Sequence, residues 1–111
     1  MHYKDKILSQ DGLEVKVKQA GKANHRIVLC HGHFNVLHPG HLRFLQYASE
    51  QGDVLLVAVQ GDRLLIQDEK KRYFRQSERA AGVAALQNVD WVVVLDTMPF
   101  RQVVGIAKPA V

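Results

Sequence analysis

The sequence predicts an α/β protein built on a parallel sheet, and three observations carry that prediction. Three short apolar runs rich in β-branched residues, Ile27–Cys30, Val54–Val59 and Trp91–Leu95, read as strands buried on both faces. The segments between and after them carry apolar residues at helical spacing. Small and polar residues then gather where the strands end, at His31-Gly32-His33, Gln60-Gly61-Asp62 and Asp96-Thr97. Strand–helix alternation implies right-handed crossovers between parallel strands, with ligands bound beyond the C-terminal strand ends.

Taken in order, residues 1–24 read as an N-terminal extension, set apart from a domain at 25–111. Leu13, Val15 and Val17 alternate as in a strand, while Leu13, Val17 and Ala20 share one helical face. Ser9 or Asp11 suits an N-cap and Gly21 a stop, so a short helix is expected. The first strand, Ile27–Cys30, leads into a glycine-bearing turn. Pro39 then fits the first turn of a helix, where its missing N–H costs nothing. Leu42, Leu45 and Ala48, with Phe44 alongside, form that helix's predicted apolar face, and Gln51-Gly52-Asp53 stops it. A polar, basic segment from about Gln67 to Ser77 follows the second strand. Gln76 or Ser77 starts the next helix, with Ala81, Ala84, Ala85 and Leu86 expected inward and Asn88 near its end. After the third strand, Met98-Pro99-Phe100 begins a helix that reaches about Ala107 and breaks at Lys108-Pro109. A fourth strand is expected to start at Ala110-Val111.

Composition narrows the function. A chain of 111 residues with 47% hydrophobic content is one ordinary globular domain. No apolar run approaches the ~18–20 residues of a membrane span, and Met1 to Lys6 lacks the apolar block of a secretory signal. Cys30 is the sole cysteine, so no intrachain disulfide forms and a cytoplasmic location is the default. The net charge is +4, with the densest cations at Lys70-Lys71-Arg72 and Arg75 close behind. Clustered cations attract phosphates. No helix-turn-helix, zinc-finger or aromatic–basic RNA signature accompanies them. A small phosphorylated ligand is therefore expected rather than nucleic acid or a membrane.

The stretch Gly32-His33-Phe34-Asn35-Val36-Leu37-His38-Pro39-Gly40-His41 carries the chemistry. A buried strand, a glycine turn and a helix N-terminus together make a phosphate-binding device, because the first helical N–H groups are unpaired and partly positive. His38 and His41, three residues apart, can face the same way. Gly32 suits a close backbone approach, Gly40 suits close packing at the helix start, and Phe34 fits a core position as well as a ligand contact. Four histidines within eleven residues (His31, His33, His38, His41) suggest a metal, but zinc requires further ligands from elsewhere, and no dedicated metal ligand is assigned.

Gly32-x-Phe34-Asn35-x-x-His38-x-Gly40-His41 resembles the signature of the HxGH nucleotidyltransferase superfamily. It is most similar to the cytidylyltransferase-like group, which includes glycerol-3-phosphate cytidylyltransferase and the nucleotidyltransferase domain of bifunctional heptose-phosphate kinase/adenylyltransferases. The resemblance runs from about Ile27 to Val111, through Gly61-Asp62-Arg63 and Glu78-Arg79. It implies a three-layer Rossmann-like fold. It also implies transfer of CMP or AMP from a Mg²⁺-bound triphosphate, CTP or ATP, to a small phosphorylated acceptor, with release of pyrophosphate. His38 and His41 are then expected to stabilise the transition state. Gly32, His33, Phe34, Asn35, Gly40 and Asp62 are expected at the nucleotide, and Arg63, Lys70, Lys71, Arg72 and Arg75 at substrate phosphates.

Two features depart from the group. Asn35 stands where a carboxylate is usual, which puts a Mg²⁺ role at that position in doubt. The later Ser/Thr-rich basic motif of the family lies past Val111, so the domain is expected to be C-terminally incomplete. A non-catalytic nucleotide- or phosphate-binding module is the alternative reading. A half-wound sheet would leave an exposed edge or apolar flank, from which a homodimer or larger assembly is expected.

Overall fold

The computed structural model describes residues 2–35, 37–64 and 74–111. Three strands, β1 (Ile27–Gly32), β2 (Val54–Gln60) and β3 (Trp91–Leu95), form one parallel sheet in the order β1-β2-β3. Among the described residues, four α-helices surround it: α1 (Gln10–Lys22), α2 (Pro39–Ser49), α3 (Gln76–Ala84) and α4 (Phe100–Ala107). The register pairs Ile27 with Val54 and Leu56 with Trp91, so all three strands leave the sheet at one rim.

Both faces of the sheet are covered, as continuous apolar strands require. On one side, Val28, Cys30, Leu55, Val57, Val59 and Val92 pack with Leu45 and Ala48 of α2 and Ala80, Val83 and Ala84 of α3. On the other, Ile27, Val54, Leu56, Ala58, Val93 and Leu95 pack with Leu13 and Ala20 of α1 and Val103 and Ala107 of α4. This is the three-layer α/β architecture the alternation predicts. Among the described residues no helix is long and apolar enough to cross a membrane.

Helix α1 forms because Ser9 caps it, its Oγ accepting from Gly12 N–H at 3.1 Å. It runs one residue past Gly21 to Lys22, and Asn24 then turns the chain with a φ of 60°. Leu13 is fully buried, so residues 10–22 are a wall of the second core.

Two helix faces differ from the sequence expectation. In α2, Leu45 and Ala48 are buried, but Leu42 and Phe44 are exposed. The inner stripe is His41-Leu45-Ala48, spaced i, i+4, i+7. In α3, the helix ends at Ala84, and Arg79, Ala80, Val83 and Ala84 face inward; Ala85 is the exposed C-cap and Leu86 lies beyond the helix. The expected face was rotated because the alanines at 81, 84 and 85 are too small to reveal by composition which side they bury. Val83 sets the orientation instead.

The sheet edges carry short pairings. Ile7 bridges in parallel to Val92, and Leu8 N–H donates to the Val92 carbonyl at 2.7 Å along β3. At the other edge, Ala110 N–H donates to the Ile27 carbonyl at 2.9 Å, and Leu29 N–H donates to the Val111 carbonyl at 3.1 Å. After α4, with Lys108 in the left-handed region, the chain therefore returns beside β1, on the side away from β2. The connection order reverses there, which makes the β1 exit a topological switch point.

Leu13→Ala is expected to lower the stability of the whole chain by about 2–5 kcal/mol in urea denaturation, the cost of emptying a closed core position. A loss confined to local fraying of α1, with the main transition unmoved, would show that α1 is not part of the cooperative core.

Candidate active site

At the switch point the chain leaves β1 at Gly32 and re-enters helix at Pro39. His38 is the N-cap of α2. Its Nδ1 accepts from Gly40 N–H at 3.0 Å, and His38 N–H in turn donates to His41 Nδ1 at 3.4 Å. The two side chains thus form a reciprocal capping pair of the kind usually made by Ser/Thr and Glu. A neutral imidazole whose Nδ1 is an acceptor carries its proton on Nε2. Both rings therefore have their Nε2–H groups as donors, at the N-terminus of an 11-residue helix. The rings lie 3.9 Å apart between centroids with a 30° tilt, and His41 meets the Phe34 ring edge-on at 5.9 Å.

The two glycines serve these aromatic rings. A Cβ on Gly40 would lie 2.8 Å from His38 Cε1, so only glycine leaves room for the capping imidazole. A Cβ on Gly32 would lie 3.0 Å from the Phe34 ring, which folds back over it. Phe34 reaches that place with a φ of 54°, a conformation rare for a bulky residue, and its ring is buried in the first core. In this arrangement Phe34 supports His41, and the face of Gly32 is covered by Phe34.

The rim's second half is held by Arg79. Its guanidinium is buried and donates from Nε to the Phe74 carbonyl (2.8 Å) and from Nη1 to the carbonyls of His33 (3.0 Å) and Gln60 (2.6 Å). Its Nη2 pairs with Asp62 Oδ1 at 2.7 Å. Asp62 also accepts from Gln76 N–H, while its own N–H donates to Gln76 Oε1 at 2.9 Å, and Gln76 Nε2 donates to Asp96 Oδ2 at 3.2 Å. Gly61 is required here, because a Cβ would lie 2.3 Å from the Leu95 carbonyl oxygen.

On the α4 side the rim opens into a cleft of about 580 Å³ lined by His31, Gln60, Arg63, Leu95, Asp96, Thr97, Pro99 and Phe100. Arg63, itself well exposed, pairs with Asp96 (Nε to Oδ1, 3.2 Å) and donates to the Asp96 carbonyl. The His31 ring lies 4.8 Å from Phe100. Partial burial, and after it the neighbouring His33, push the His31 imidazole below its usual pKa. Among the described residues no group of three or more His, Cys, Asp or Glu side chains is arranged to hold a metal.

Of the residues singled out in the sequence, Gly32, Phe34, His38, Gly40 and His41 come together as one packed unit. The His33 carbonyl accepts from Arg79. Asn35 Oδ1 accepts from Phe74 N–H at 2.6 Å, tying the motif turn to the entry of α3. Asp62 and Arg63 lie at the β2 exit. Arg75 is the exposed N-cap of α3, its N–H donating to Glu78 Oε1 at 3.2 Å. Lys70, Lys71 and Arg72 lie outside the described residues. Arg79 is a site residue that the sequence alone does not single out. The available signal was a charged residue at an inward position, four before Val83.

This fold and rim define a nucleotidyltransferase-type α/β domain. The chain belongs to the cytidylyltransferase-like family, whose pattern it matches over residues 29–106. It is 34% identical to the bifunctional protein HldE of Geobacter metallireducens over 96% of this chain and 22% of that protein. Against HldE of Actinobacillus pleuropneumoniae serotype 5b the identity is 39%, over 78% of this chain and 19% of the relative. The chain thus spans about a fifth of the length of these curated relatives. A solved structure, the lipopolysaccharide core biosynthesis protein of Thermoplasma volcanium GSS1, superposes with a TM-score of 0.69 and 28% identity, covering 77% of this chain and 70% of that one. That likeness supports the Rossmann-like description of the sheet.

Imidazole ¹⁵N spectra at neutral pH are expected to show the Nε2–H tautomer for both His38 and His41. Gly40→Ala should shift the His38 resonances most, as the ring is driven off the helix start. An Nδ1–H tautomer at either histidine would show that the capping bonds do not persist.

Proposed function

We propose that this domain transfers a nucleotidyl group, CMP or AMP, from a nucleoside triphosphate to a small phosphorylated acceptor of the sugar or polyol phosphate type. The observation that carries the reading is the close, tilted His38–His41 pair at a helix N-terminus, with both Nδ1 atoms accepting from backbone N–H groups; both Nε2–H groups then serve as donors. In such a transfer an anionic oxygen of the acceptor phosphate attacks the α-phosphorus. A new P–O bond forms, the α–β bridging bond breaks, and pyrophosphate leaves with the electron pair. The nucleophile is already an anion, so no general base is needed. The protein's contribution is alignment and stabilisation of charge on the phosphoryl oxygens. Two preorganised imidazole donors suit that task, each worth about 2.7–4 kcal/mol in the transition state if it behaves as an oxyanion-hole donor does.

The cleft beside Arg63 suits the acceptor, since a guanidinium binds phosphate by paired hydrogen bonds and releases an exposed carboxylate at little cost. The likeness to a lipopolysaccharide core biosynthesis protein supports a sugar-type acceptor. Mg²⁺ would enter with the triphosphate, held chiefly by phosphate oxygens and water, and would neutralise charge on the departing pyrophosphate. Asn35 gives its side-chain oxygen to Phe74 N–H and supplies no charge for a metal.

The test is pyrophosphate release across a panel of triphosphates and phosphorylated acceptors. Turnover with one pair is expected, and His41→Ala is expected to reduce kcat by about 10²–10³ with the fold intact. Tight nucleotide binding by calorimetry without pyrophosphate release from any pair would replace this reading with that of a non-catalytic binding module.

A further inference from the structure

The parallel ladder between β1 and β2 ends at the partners Gly32 and Val59. Beyond that point the two chains diverge into loops with different tasks. One leads through Phe34 to His38 and His41; the other leads through Gly61 to Asp62 and Arg63. Arg79 Nη1 reaches across this gap and donates to both carbonyls, His33 at 3.0 Å and Gln60 at 2.6 Å. One nitrogen thus extends the contact between the strands past the last ladder pair.

We infer that Arg79 is a positioning residue that fixes the histidine-bearing turn relative to the β2 exit loop, and so sets the approach of the two reactants. The inference rests on the nucleotidyl-transfer reading. Two further contacts make the guanidinium a rigid brace. Nη2 holds Asp62 Oδ1 at 2.7 Å and Nε holds the Phe74 carbonyl at 2.8 Å. Phe74 N–H then donates to Asn35 Oδ1, so the turn is gripped at His33 and again at Asn35. The grip at His33 lies next to Phe34, whose left-handed backbone and buried ring support His41. A planar fork with donors in fixed directions can serve four acceptors on three loops. A lysine ammonium keeps the charge, but its point geometry cannot span them. Arg79 is buried behind the rim. It acts through the peptide groups that carry the site residues.

In-line transfer is sensitive to the placement of the reactants, and a misplacement of about 1 Å costs about 10²-fold in rate. Arg79→Lys in the full chain is therefore expected to lower kcat by about 10²-fold, measured at a temperature where the variant keeps native amide dispersion. The calorimetric Kd for Mg-ATP or Mg-CTP should stay nearly unchanged, because the His38–His41 pair remains on α2. A lowered Tm with kcat of the folded variant intact would reduce Arg79 to a structural role and overturn the inference. If Arg79→Lys does not fold, Asp62→Ala removes the carboxylate that Nη2 holds while the carbonyls of His33, Gln60 and Phe74 stay in place. A fall in kcat with coupled amide shifts at 33–35 and 60–63 is expected, and an unchanged kcat overturns the inference. If the unaltered chain releases no pyrophosphate, the functional reading fails and the amide spectrum of Arg79→Lys decides the inference separately. Coupled shifts at both 33–35 and 60–63 support the brace, whereas shifts confined to 60–63 and 74–79 overturn it.

Discussion

A single buried cation holds the exit rim of this sheet together. Taking a guanidinium out of water costs several kcal/mol, and the fold recovers that cost only if the donors are met with good geometry. Arg79 meets the carbonyls of His33, Gln60 and Phe74 and the carboxylate of Asp62. These acceptors sit where β1 ends, where β2 ends and where α3 begins. Such loops would otherwise carry buried carbonyls without partners, a cost of about 1–3 kcal/mol each. The same contacts that make the rim stable therefore determine its shape.

The histidine turn depends on packing as much as on its own sequence. The stripe that buries α2 is His41-Leu45-Ala48, so burial of Leu45 and Ala48 also decides where the His41 ring points. Phe34 then backs His41 from a left-handed backbone position, a strain of about 1–3 kcal/mol that burial of its ring offsets. His38 and His41 take each other's capping roles, which spends both Nδ1 lone pairs on backbone and leaves the ring protons on Nε2. A helix that begins with Ser and Glu at these positions would be capped as well, but would present no imidazole donor.

Much of the architecture was legible because each strand is a compact apolar run and each helix has a recognisable boundary residue. Ser9, Pro39 and Lys108-Pro109 mark helix ends by backbone chemistry that acts locally. Helix faces were less legible. Leu42 and Phe44 look as apolar as Leu45, yet α2 buries its Leu45–Ala48 stripe and leaves both exposed. In α3, alanines on several sides gave no clear stripe, and the inward position of Arg79 went unseen. The glycines of the motif were legible as necessary but not for what they accommodate. Gly32 lies beneath Phe34 and Gly40 beneath His38, contacts that depend on ring positions no local pattern specifies.

By itself the sequence determined the strand–helix alternation, the parallel sheet and the histidine-bearing turn at the first strand's exit. Those follow from periodicity, from turn and capping residues, and from a motif contiguous in the chain. Only the tertiary structure decided which polar groups converge. Arg79 is 46 residues from His33 and 19 from Gln60 along the chain, and their meeting follows from sheet register and the packing of α3. Hydrogen-bond partners so far apart in sequence leave no periodic trace, because their pairing is a property of the folded rim and not of any one segment.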